Sequence, residues 1–121
     1  MVDCERGIMR ELFRVIEKHQ ASFDYAFIAE KGDVVAVSRE DDETPGWFWC
    51  MDVNGLEAWV PETHLKIEGD KGTFNQPYNS IEHSVSPGDI VQYLGESLGW
   101  MECLNSKWEY GWIPLHKAEI I

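Results

Sequence analysis

The chain has 121 residues and a mass of 14.0 kDa, with 44% hydrophobic residues, enough to bury the core of one ordinary domain or two small ones. Ten basic residues stand against 22 acidic ones, for a net charge of −12 and a pI of about 4.6, which makes nucleic acid and anionic membrane poor partners and basic groups good ones. No apolar run reaches bilayer-spanning length, and the opening MVDCERGIMRELF places charges where a secretory signal places apolar residues, so a cytoplasmic chain is expected.

The first patterned segment has two readings. Ile8, Met9, Leu12, Phe13, Val15 and Ile16 fall at helical spacing, which allows a helix over 7–19 or an N-terminal extension. A strand over 12–18 is the expected reading, with the helix as its alternative. From Gly32-Asp33 onward the signals are those of strands. Val34–Val37 follows that turn, and the acidic stretch Glu40-Asp41-Asp42-Glu43 follows the strand. Trp47–Met51 reads as an aromatic strand, Asn54-Gly55 as a hairpin turn and Leu56–Val60 as the return strand. The polar stretch Glu68-Gly69-Asp70-Lys71-Gly72 reads as a linker. Beyond it, Gly88-Asp89 precedes a strand over Ile90–Leu94, with further strands at Trp100–Leu104 and Glu109–Ile113.

An internal repeat organises these elements. Gly46-Trp47-x-x-Cys50 and Gly99-Trp100-x-x-Cys103 share one pattern. Trp59 and Trp112 follow nine residues after each Cys, and Pro61 and Pro114 two residues later. All five positions repeat at a spacing of 53, so one small unit occurs twice. The expected domains are 1–67 and 73–121. Gly46 and Gly99 are then expected in like surroundings. Short strands joined by tight turns argue for an all-β chain of two small barrels. The three cysteines are an odd number without a CxxC pair, which argues against a disulfide framework and a zinc site and suits a reducing compartment. Cys50 and Cys103, at matched strand positions, read as small buried hydrophobes.

The order of Gly-Asp turn, strand, acidic loop, Gly-Trp strand, Asn-Gly turn, return strand and Pro resembles the Src homology 3 (SH3) domain, twice in tandem. Trp59-Val60-Pro61-Glu62-Thr63-His64-Leu65 and Gly111-Trp112-Ile113-Pro114 carry the most specific part of the likeness. Glu82-His83-Ser84-Val85-Ser86-Pro87-Gly88-Asp89 resembles the segment leading into the family's Gly-Asp turn, and the shorter loop of the second copy is similar to variant SH3 domains. In the first copy, Val15–His19 stands at the family's opening strand and Ala26–Ala29 before its Gly-Asp turn.

The resemblance implies a non-catalytic module that binds a protein or peptide partner through an aromatic groove. An extended, proline-containing peptide loses little entropy on docking there, and acids beside the groove select a basic residue. The implied groove residues are His19, Trp47, Pro61 and His64 in the first copy, and Tyr78, Trp100 and Pro114 in the second. Glu17, His19, His64, Gln76 and Lys117 replace aromatic residues, so both grooves are degenerate. Asp24, Glu40, Asp41, Asp42 and Glu43 are the candidates for charge selection. His19 and His64, aligned to one pocket, form a candidate pH-sensitive or metal-holding pair, with two ordinary surface histidines as the alternative. Two further readings stand beside the peptide module. In one, the aromatic faces are used for packing between barrels or in an oligomer; in the other, they form a cage for a cationic side chain. Phosphate loops, GxSxG and HExxH are missing from the sequence, and neither a cofactor nor a metal is expected.

Overall fold

The computed structural model describes residues 11–121. The chain is all-β and antiparallel, as the short β-branched and aromatic segments predict. Its strands are β1 (Leu12–Val15), β2 (Ile28–Ala29), β3 (Val34–Glu40), β4 (Trp47–Met51), β5 (Glu57–Pro61) and β6 (Leu65–Glu68). They continue with β7 (Lys71–Phe74), β8 (Tyr78–Asn79), β9 (Ile90–Ser97), β10 (Trp100–Leu104), β11 (Tyr110–Pro114) and β12 (Ala118–Ile120). The strand reading of residues 12–18 holds over Leu12–Val15, which excludes a helix across that stretch; Ile8 and Met9 lie outside the described residues.

Two five-stranded sheets share one plan. Their orders are β5-β4-β3-β7-β6 and β11-β10-β9-β1-β12, and a small sheet pairs β2 with β8. In each large sheet, three consecutive strands are followed by one 3-10 turn, Glu62–His64 or Leu115–Lys117, and a short closing strand. The fifth strand breaks the sequence order. β1 pairs with β9 and β12, while β7 pairs with β3 and β6. The chain accordingly divides into a terminal unit (11–21, 83–96 and 100–121 of the described chain) and a central unit (22–82 with 97–99), named for their place in the sequence.

A contiguous division at 68–72 does not follow this pairing. Gly69 and Asp70 are not a spacer but the two-residue turn of the β6–β7 hairpin, with Glu68 opposite Lys71. Gly69 supplies the positive φ of +65° that such a turn needs. A connection this short leaves β7 no place except beside β6. Gly72 then lets the β7 backbone approach closely: a Cβ there would stand 3.1 Å from Val37 Cγ2 and 3.3 Å from Leu65 Cδ2. With that slot filled, β1 completes the terminal sheet.

Each unit has its own buried side chains. In the terminal unit Val15, Val85, Val91, Met101, Cys103 and Ile113 form one cluster, flanked by Phe13 and Leu115. In the central unit the Phe27, Phe74 and Tyr78 rings lie with centroids 5.9–6.5 Å apart. Val35, Cys50, Val60 and Leu65 are buried as well. Along β7 and β10 the buried positions alternate, which is the period-2 pattern of a sheet with one face covered.

The strand exchange is directly testable. Val15→Ala removes two buried methyl-equivalents from the terminal cluster and should cost about 2 kcal/mol. Its effect on amide hydrogen exchange should concentrate in β9–β12. Phe74→Ala should cost roughly 3–5 kcal/mol and act on β3–β6. The opposite distribution would mean that each opening strand pairs within its own half of the sequence.

Cys50 and Cys103 are both free and almost fully buried, 1% and 0% exposed. Burial pushes each thiol up to about 12, because a thiolate there would lose its hydration. The sign follows: the raised folded value favours the neutral thiol, so this contribution is full below the unfolded thiol's range and is lost as pH rises above it. At pH 8 both should resist a thiol reagent in the folded protein and react in denaturant, as read by mass spectrometry of labelled peptides.

Candidate functional site

Each Trp–Pro pair is set by strand register. In the central unit Trp47 opens β4 and lies opposite Pro61 at the end of β5; in the terminal unit Trp100 opens β10 opposite Pro114 at the end of β11. Both prolines end a strand on the outer edge of a sheet, where the missing N–H leaves no ladder bond unmade.

The exchange of opening strands regroups the other expected groove residues. His19 pairs by backbone with Val85, donating its N–H at 3.0 Å and accepting at 2.9 Å. Its ring stands edge-on to Trp100, with centroids 5.5 Å apart. It thus joins Trp100 and Pro114, not Trp47. Tyr78 goes the other way, into the central unit. It is 5% exposed, donates its hydroxyl to the Trp59 carbonyl at 2.7 Å, and meets the His64 ring edge-on at 5.3 Å. The sets brought together are therefore Trp47, Pro61, His64 and Tyr78, and His19, Trp100 and Pro114. His19 and His64, aligned to one pocket by sequence, belong to different units. Among the described residues, groups of three or more His, Cys, Asp or Glu that could hold a metal ion are absent.

The two tryptophans differ in exposure. Trp100 is half-buried, whereas Trp47 is 7% exposed. The Trp47 indole Nε1–H donates to the Leu98 carbonyl at 3.0 Å. Sequence reasoning missed Leu98. Its signal was an aliphatic residue just ahead of the second Gly-Trp, where the first copy has Pro45.

The acidic loop is partly committed to its own geometry. The Gly46 N–H donates to Glu40 Oε2 at 2.8 Å, and the Thr44 hydroxyl donates to the Asp41 carboxylate. The Asp41 N–H also donates to the Trp47 carbonyl at 2.8 Å. Asp42 and Glu43 are exposed, as is Asp24.

An aromatic cluster that sequence reasoning did not assemble lies on the same unit. Trp49 and Trp59 are cross-strand partners with centroids 5.1 Å apart, and Phe23 stands 6.0 Å from Trp49. The Arg39 guanidinium lies 5.7 Å from the Trp49 ring and 5.2 Å from the Trp59 ring. Trp49 Nε1–H donates to Glu57 Oε2 at 3.0 Å, and the Tyr25 hydroxyl donates to the Glu57 carbonyl at 2.6 Å. Trp59 and Arg39 thus hold each other. Trp112, at the repeat position matching Trp59, is 2% exposed.

Comparison with known proteins finds one family over the first half of the described chain. Residues 12–68 match the family described as the variant SH3 domain. Across 38 residues the chain is 40% identical to Myosin-1 of Mycosarcoma maydis, a stretch that covers 31% of this chain and 3% of that protein. No solved structure matches. The family match runs in linear order from β1 to β6, so its first strand lies in the terminal unit and the rest of its sheet in the central one.

Proposed function

We propose that the chain is a non-catalytic protein-interaction module of two SH3-like barrels, the central one set within the sequence of the terminal one, and that the face around Trp100, His19 and Pro114 binds a peptide. The carrying observation is the half-buried indole of Trp100, held edge-on to His19 and opposite Pro114. A flat ring beside a proline offers an extended, proline-containing segment an apolar surface that costs little order on docking. The net charge of −12 favours a basic residue in that segment. Of the expected acids, Asp24, Glu40, Asp42 and Glu43 are exposed, and all four belong to the central unit, not to the unit that carries Trp100. Free, buried cysteines accord with a reducing, cytoplasmic setting. Packing use of the aromatic faces has one observation in its favour, the burial of Trp47, and we assign it to that face alone.

The test uses a synthetic peptide of nine prolines flanked by arginines, followed by calorimetry and by tryptophan fluorescence. Trp100→Ala should weaken binding by at least about 2 kcal/mol, roughly thirtyfold, as for a central aromatic anchor. Raising the salt concentration should weaken binding of the wild type. Equal affinity for Trp100→Ala and the wild type would remove this face as the binding site.

A further inference from the structure

We infer that the Trp47 face already holds a ligand, and that the ligand is a segment of this same chain, the turn Ser97–Leu98–Gly99. This inference rests on the proposed peptide-binding role, which it assigns to the Trp100 face while the Trp47 face is occupied. Three contacts carry it. The indole Nε1–H of Trp47 donates to the main-chain carbonyl of Leu98 at 3.0 Å. The Thr63 hydroxyl, in the 3-10 turn after Pro61, donates to Ser97 Oγ at 3.2 Å, and Ser97 is 8% exposed. The Leu98 side chain lies over Gly46, where a Cβ would stand 2.5 Å from Leu98 Cδ1 and 3.5 Å from Glu62 Oε1.

These contacts are the kinds an external peptide would need: a main-chain acceptor for the indole, a polar contact at the 3-10 turn and an aliphatic group, here 38% exposed, seated over a glycine. The turn is placed with care at a local cost. Leu98 has a φ of +47°, a left-handed conformation that a leucine rarely adopts. The matched glycine of the second copy lacks such an occupant: a Cβ on Gly99 would meet nothing within 4 Å, although its φ of +90° is close to the +94° of Gly46. The backbone is alike at the two glycines and the surroundings are not.

A tethered occupant competes at an effective concentration of about millimolar, so a weak external peptide cannot displace it. Apparent affinity at Trp47 falls by the fraction of time the face is vacant. Leu98→Gly removes the aliphatic contact and suits the left-handed φ, so the variant should fold.

The experiment titrates the full-length, nitrogen-15-labelled protein with the nine-proline, arginine-flanked peptide and follows the indole N–H resonances of Trp47 and Trp100. Amide and indole hydrogen exchange is recorded without peptide. In the wild type Trp100 should shift and Trp47 should not. In Leu98→Gly, Trp47 should shift too, with an apparent affinity at least about tenfold tighter than in the wild type, and its indole N–H should exchange about tenfold faster without peptide. The inference is overturned if Trp47 shifts in the wild type at the concentrations that shift Trp100. It is also overturned if Trp47 stays silent in Leu98→Gly while Trp100 responds. If neither indole responds in either protein, the peptide-binding role fails, and the exchange data alone decide: equal indole protection in the two proteins overturns the occupancy, and faster exchange in the variant upholds it.

Discussion

The two-residue turn Gly69-Asp70 is the constraint on which the rest depends. Four or more flexible residues at that point would let β7 leave the edge of β6; two residues do not. β7 therefore closes the central sheet beside β3, and β1 finds its open edge between β9 and β12. Val15 and Phe74, from the two exchanged strands, are each among the most deeply buried side chains of the unit they enter. Pairing residues 12–15 with 90–92 and 118–120 also makes the terminal sheet one of high sequence separation. Its formation carries a large loop-closure cost before it is rewarded, so it should form after the local β3–β4–β5 and β6–β7 hairpins.

The exchange has a direct bearing on the two Trp–Pro faces. An opening strand brings its following residue with it: β1 leads to His19, and β7 leads to Tyr78. In linear order a histidine would stand beside Trp47 and a tyrosine beside Trp100. The strand pairing reverses this. Tyr78 is buried against Phe27, Phe74 and His64, where its hydroxyl satisfies the Trp59 carbonyl, and the smaller His19 stands at Trp100. The bulkier ring thus reinforces the face that is filled, and the smaller, more polar ring lines the face whose tryptophan is half exposed.

Much of this was legible in the sequence where side-chain pattern and turn chemistry act locally. Trp47–Met51 and Trp100–Leu104 are strands over just the residues their pattern indicated, and Cys50 and Cys103 are buried thiols. The exchange was not legible, because β1 and β7 have no residue identity that chooses between two equivalent sheet edges. The information lay in the length of the Gly69-Asp70 connection, and a Gly-containing polar stretch reads equally as linker or hairpin. Leu98 was hidden for a related reason: its importance comes from a contact with Trp47, 51 residues away, and not from any pattern around it. The helical spacing of Ile8 to Ile16 left a helix open beside the strand; within the described part of it, Leu12 and Ile16 are exposed and Val15 is buried.

The turns at matched repeat positions carry different residues on a like backbone. Asp52 holds the turn before β5 by accepting from the N–H groups of Asn54 and Leu56, and Asn105 holds the turn before β11 by accepting from those of Lys107 and Glu109. Gly55 takes the left-handed position in the first, with φ +86°, and Trp108 takes it in the second, with φ +64° and 69% of its surface exposed. A left-handed conformation costs a non-glycine residue about 1–2 kcal/mol, and an indole in solvent recovers little of that by burial. The same contrast appears at Gly46 and Gly99. The backbone is alike at both members of each pair, and the residue that meets it decides whether the surface there is filled from within the chain.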